Sequence, residues 1–136
     1  MMLDDSDVEL QRHDFLRRFI TMMDSYKTEF DNIPAVPGGL GMGLDEASIS
    51  RGRKISDLNK KYCNLIHQEK EDDIKYAFSM AYLGVHEAEF EPGSLLDCVE
   101  HPENYCESGM SYVEYLLNED TSLRIKDGAT ALGINL

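Results

Sequence analysis

With 136 residues and 42% hydrophobic content, the chain is the size of one globular domain with a real core. Its 26 acids against 13 bases leave a net charge of -13, which excludes a broad basic surface for direct nucleic-acid binding. No run approaches the ~18 apolar residues of a membrane span, and the acidic stretch from Met1 to Asp7 lacks the basic-then-apolar order of a secretory signal. The expectation is a cytoplasmic protein with no membrane partner.

From Val8 to Phe30 the residues Val8, Phe15, Phe19, Met22, Tyr26 and Phe30 follow three-and-four spacing, with Leu16, Ile20 and Met23 widening the stripe, and predict a first long helix. Ser6 and Glu9 have the spacing of a capping box. Ile33-Pro34 ends the helix, because a residue before proline is pushed out of the helical region. Pro34 to Gly43, with two prolines and four glycines, is the main loop. It superficially resembles a phosphate-cradling loop, but no strand precedes it and no Lys-Ser/Thr closes it.

A second helix is predicted from about Asp45, or from Lys54 if Gly52 breaks it, to about Gln68, with Ile55, Leu58, Tyr62, Leu65 and Ile66 inward. A third runs from about Asp72 to Phe90, with Ile74, Ala77, Phe78, Ala81, Tyr82 and Val85 at core spacing, and ends before Pro92-Gly93. The apolar stripe is interrupted between His67 and Asp73, which favours two helices over one continuous helix. Ser94 and Asp97 are placed to cap a short fourth helix, Leu95 to Glu100, closed by His101-Pro102. Ser111 and Glu114 stand in the same relation to a fifth, from about Ser108 to Asn118, with Met110, Val113, Leu116 and Leu117 as its apolar members. The tail stays open: Leu123-Arg124-Ile125-Lys126 alternates like a strand and Asp127-Gly128 is a turn signal, yet Ala129 to Leu136 equally suits a helical turn. The predicted fold is all-α, a single-domain bundle of four to five helices spanning residues 1–136, with a Pro/Gly-rich loop after the first helix.

The strongest functional signal is one of charge. Tyr76 to Leu123 runs 48 residues without a Lys or Arg while carrying ten acids and five of the seven tyrosines. Lys and Arg ordinarily intersperse with acids on a solvated face, so this potential is uncompensated within its own segment and steers basic partners. The residues expected to form the partner-binding face are Glu87, Glu89, Glu91, Glu100, Glu103, Glu107 and Glu114, with Tyr105, Tyr112 and Tyr115 as anchors. The bland alternative is a wet surface of an acidic protein. Seven of the thirteen bases lie between residues 51 and 75, among five acids of their own. They are candidates for intramolecular pairing with the acidic half, for head-to-tail docking of two copies, or for a small nucleic-acid patch.

A Cys/His set, Cys63-x3-His67 with Cys98-x2-His101-x4-Cys106, supplies five donors without the paired spacing of a zinc motif. Three cysteines with no C-x-x-C pair argue for reduced thiols. Glu69-x-x-Asp72 and Glu100-x-x-Glu103 stand in the wrong order for the magnesium motif of helical pyrophosphatases, and His13-Asp14 lacks partner ligands. No catalytic set and no cofactor are therefore expected. The composition points to an acidic protein-binding protein, a stoichiometric inhibitor or immunity-type protein of the kind phages encode, that covers a basic surface of a larger target as a nucleic acid would. The alternatives are a zinc enzyme or regulator built on the Cys/His set, and a structural homodimeric subunit.

Overall fold

In the computed structural model, residues 5–34, 46–91, 95–106 and 111–136 are described, with the side chains of 5–11, 47 and 95 left aside. The elements are α1 (Asp5–Asp31), α2 (Glu46–His67), α3 (Glu71–His86), α4 (Leu95–Glu100), α5 (Tyr112–Leu116) and α6 (Thr121–Ala131), with 3-10 turns at Glu87–Glu89 and Pro102–Asn104. Among the described residues there is no strand, so the chain is all-α.

α1 buries Phe15, Leu16, Phe19, Ile20, Met23 and Tyr26, the expected stripe. Ser6 lies inside this helix, which already begins at Asp5, so it is not the N-cap expected from its spacing to Glu9. α2 runs unbroken through Gly52 and presents Leu58, Tyr62 and Ile66 to α1. It ends at His67, and Gln68–Lys70 separate it from α3, confirming two helices rather than one. Most of the Pro/Gly-rich loop and the Ser94 cap fall outside the described residues, as do Ser108 to Met110 of the predicted fifth helix. α5 starts later than expected, at Tyr112, where the Ser111 Oγ accepts the Glu114 amide at 3.0 Å as the spacing implied.

α3 is covered on every side over one and a half turns: Tyr76, Ala77, Phe78, Ser79, Met80 and Ala81 are all buried. A helix apolar all round belongs at the centre of its domain. Val85, expected inward, is 48% exposed, because it lies across the helix from Leu83, which is the fully buried residue of this last turn. The polar member of this run is satisfied: the Ser79 Oγ donates to the carbonyl oxygens of Lys75 (3.1 Å) and Cys98 (2.8 Å), tying α4 to α3. Among the described residues no buried side-chain nitrogen or oxygen lacks a partner.

The tail, left open between strand and helical turn by its sequence, is helical. Residues 121–131 form a sixth helix, and it is α3's most extensive neighbour. Its strand-like alternation was accidental: Ile125 is fully buried against the core while Leu123 is 60% exposed on the outer face. Gly128 makes no turn. A Cβ there would sit 1.8 Å from the carbonyl oxygen of Met80, and a Cβ on Gly84 would sit 1.9 Å from that of Arg124. The pairs 84/124 and 80/128 rise on one helix as they fall on the other, so α3 and α6 cross antiparallel with backbones in direct contact at both glycines. Ser122, buried beside this crossing, bonds Asp24 of α1, and Thr121 Oγ1 donates to the Leu116 carbonyl at 2.8 Å. α6 ends at Ala131, and just beyond it Gly133, with a φ of +75°, supplies the left-handed residue of the cap. There the Gly133 amide bonds Thr130 (3.0 Å) and the Ile134 amide bonds Ala129 (2.8 Å), the two bonds of a Schellman motif.

These glycines respond oppositely to alanine. A Cβ at Gly52 meets nothing within 4 Å, so Gly52→Ala gains helix propensity and raises stability by up to ~1 kcal/mol. At Gly84 and Gly128 the same gain is outweighed by a clash with backbone that no rotamer relieves, and each alanine is expected to cost about 2–3 kcal/mol net. Urea denaturation of the three variants checks the signs; a stabilised Gly128→Ala would show that the helices do not touch there.

Candidate functional site

Phe78, Tyr82 and His86 recur every four residues and form one stripe of α3. Onto this stripe converge the aromatic rings of the acidic segment. Tyr112 and Tyr115 meet Phe78 edge-on at 5.0 and 4.9 Å between centroids, and Tyr105 meets Tyr82 at 5.3 Å. Phe90 lies 5.6 Å from Tyr105, and His86 stacks on Tyr82 at 4.3 Å. The 3-10 turns and α5 are thus clamped to one side of α3 by aromatic contact, which contributes specific geometry beyond burial alone. Tyr105, Tyr112 and Tyr115, expected as anchors, are brought together, but each is half-buried and spends much of its ring on the fold.

The predicted carboxylates lie on those clamped elements and on the residues beside them. Glu87 and Glu89 lie on the first 3-10 turn with Glu91 just beyond it, Glu100 ends α4, Glu103 lies on the second 3-10 turn and Glu114 on α5, all exposed. Glu107 lies outside the described residues. Two of these acids have histidine partners: Glu89 faces His86 Nδ1 at 2.7 Å and Glu103 faces His101 Nδ1 at 3.5 Å. Among the described residues no Lys or Arg forms an ion pair with Glu87, Glu89, Glu100, Glu103 or Glu114. Two cations do reach the edge of the aromatic cluster: Lys75 lies 6.0 Å from the centre of the Tyr112 ring, and Arg124 is close enough to Tyr115 to oppose the rise of its pKa.

Of the bases of residues 51–75, Lys61 and Arg51 are turned elsewhere. Lys61 Nζ pairs with Glu29 of α1 at 2.9 Å, and the Tyr62 hydroxyl donates to the same carboxylate, which holds Glu29 below the usual carboxylate range. Arg51 Nη1 donates to the carbonyls of Ile33 and Pro34 at 3.3 Å each, just past the end of α1. Glu69 and Glu71 are met by Arg18 (3.3 Å) and Lys75 (3.5 Å). The intramolecular pairing anticipated from sequence therefore occurs, but with α1 and with neighbouring acids rather than with the cation-free segment.

The five Cys/His donors do not converge. Cys98 is fully buried, its thiol pushed up to about 11 chiefly by burial, and its Sγ lies 3.9 Å from the Ser79 carbonyl. Cys63 is half-buried on α2, while His67 and His101 are exposed on different elements. Among the described residues no three His, Cys, Asp or Glu side chains come together as a metal site. Likewise, among them no helix is long and apolar enough to cross a membrane.

Sequence reasoning missed Asp97 as a member of the site. It accepts a hydrogen bond from the Tyr105 hydroxyl, which ties the second 3-10 turn to α4 and drives the Tyr105 pKa up to about 12, with burial adding to the effect. No protein-family model matches the chain, and no curated protein or solved structure matches it either.

A phenol held above its ordinary value of 10.0 favours the folded state fully below pH 10 and loses that contribution as pH rises toward 12. The Tyr105 ring resonance, assigned by Tyr105→Phe, is expected to titrate near 12 and to fall back toward 10 in Asp97→Asn. An unchanged titration in Asp97→Asn would show that the hydrogen bond is not the cause.

Proposed function

We propose that this chain is a protein-binding protein whose anionic face covers a basic surface on a larger target, in the manner of a stoichiometric inhibitor or immunity-type protein. The observation that carries the reading is the sorting of charge. Exposed carboxylates Glu87, Glu89, Glu103 and Glu114 ride on elements clamped to one stripe of α3 and Glu100 on α4, itself tied to α3 through Ser79, while Arg51 and Lys61 are engaged with α1. Glu91 and Glu107 extend the same acidic run in sequence.

Such a face attracts a cationic partner over a Debye length and so raises its association rate before any contact forms. On contact, each carboxylate met by an arginine can accept two parallel N–H bonds, a charge-assisted pair of defined geometry. The exposed edges of Tyr105, Tyr112 and Tyr115 add rigid contact area that requires little side-chain ordering, because their rings are already fixed against Phe78 and Tyr82. If the target handles nucleic acid, the carboxylates compete with phosphate oxygens for the same guanidinium and ammonium groups, and binding and inhibition become one event.

The test compares wild type with Glu87→Lys/Glu103→Lys/Glu114→Lys as bait for retained proteins, followed by association kinetics on what the wild type recovers. All three sites are exposed, so the fold should be preserved. The expected result is a partner lost by the triple variant, with an association rate that falls at least about tenfold and loses most of its salt dependence. Equal recovery by both baits, or a wild-type affinity unchanged from low to high salt, would overturn the proposal.

A further inference from the structure

Away from the aromatic stripe, α3 presents Tyr76 to a second feature of the molecule. A cleft of about 580 Å³ opens between the early turns of α1, α4 and the residues that follow α6, a volume within the range of small-molecule sites. Tyr76, Leu96, Val99 and Ile134 give it apolar walls, and Arg12 and His13 stand over it from α1. In a chain with 26 acids and 13 bases, no Asp or Glu is found among the described lining residues. Glu100, one turn along α4 from Leu96, stands outside the lining.

Three details make this cleft more than a surface irregularity. The Arg12 guanidinium lies 4.7 Å from the centre of the Tyr76 ring, a cation–π contact that fixes it at the wall, and among the described residues no carboxylate pairs with it. Leu96 is 56% exposed, a large apolar side chain left to water at the lip. The wall carrying Ile134 is preformed, because the turn at Gly133 and the 2.8 Å bond from the Ile134 amide to Ala129 hold it in place.

We propose that this cleft binds a small amphipathic anion, a carboxylate on a hydrocarbon body. The carboxylate lies against Arg12 with His13 beside it, and the hydrocarbon covers Leu96, Val99 and Ile134. Arginine suits a planar carboxylate because its N–H fork matches the two oxygens, and its stacking on Tyr76 leaves that fork's edge available. This site is independent of the acidic face.

Calorimetric titration of the full chain with decanoate, below its micellar range, tests the proposal. Saturable binding of one molecule per chain is expected, weakened about tenfold or more by Arg12→Gln. Decanol, lacking the charge, should be indifferent to that substitution, while Leu96→Glu should weaken both ligands. Arg12 and Leu96 are exposed, so neither variant removes core, and a thermal melt verifies this. Absence of saturable binding, equal affinity in Arg12→Gln, or equal affinity for decyltrimethylammonium would each overturn the assignment.

Discussion

The direct backbone contact of α3 with α6 is the constraint on which the remaining packing depends. Two helices kept apart by ordinary side chains have axes about 8–10 Å apart; glycine at the contact lets the axes come closer. With Gly84 against Arg124 and Gly128 against Met80, the carbonyl oxygens of each helix face the Cα hydrogens of the other, a weak attraction repeated at both points. The closeness has a packing consequence. α6 covers the Met80 and Gly84 side of α3, while the Phe78, Tyr82 and His86 stripe is covered by rings from the acidic segment. The fold thus assigns one side of its central helix to backbone contact and another to aromatic contact.

That assignment also sorts the charges. α1 and α2 meet through Leu58, Tyr62 and Ile66 together with a polar seam in which the Tyr26 hydroxyl bonds Asn59 at 2.6 Å and Glu29 receives Lys61 and Tyr62. Lys61 of α2 is drawn to this seam and Arg51 to the end of α1. Glu87, Glu89, Glu100, Glu103 and Glu114 are left facing water, with histidine as the only base paired to them in the described residues. Partially exposed ion pairs of this kind add little stability, so their consequence is one of surface potential rather than of folding energy.

How much of this was legible in the sequence depends on what each residue does. α1 to α5 announce themselves because Phe, Leu, Ile and Met recur at helical spacing, and Ser111 with Glu114 marks a helix start in the way its chemistry requires. α6 does not, because the face it buries consists of Thr121, Ser122, Gly128 and Ala129 beside a single Ile125, so no apolar stripe exists to be read. Asp127-Gly128 matches a turn dipeptide for reasons unconnected with its role as a contact point. The acids were visible as composition. The convergence of Tyr105, Tyr112 and Tyr115 was not, since it depends on a stripe of α3 that lies far away in sequence, and Asp97 was one acid among ten until its bond to Tyr105 distinguished it. The cleft was invisible for the same reason: Arg12 and His13 sit some 120 residues from Ile134 in the chain.

If the α3–α6 contact organises the molecule, α3 and α6 must be the last elements to open, and α2, held by one side of three buried residues, must open earlier. Native-state hydrogen exchange across increasing denaturant measures this directly. The expected result is that amides near Met80 and Ile125 exchange only through global unfolding while those of α2 exchange through a smaller opening of lower free energy. Amides of α6 exchanging earlier than those of α2 would contradict it.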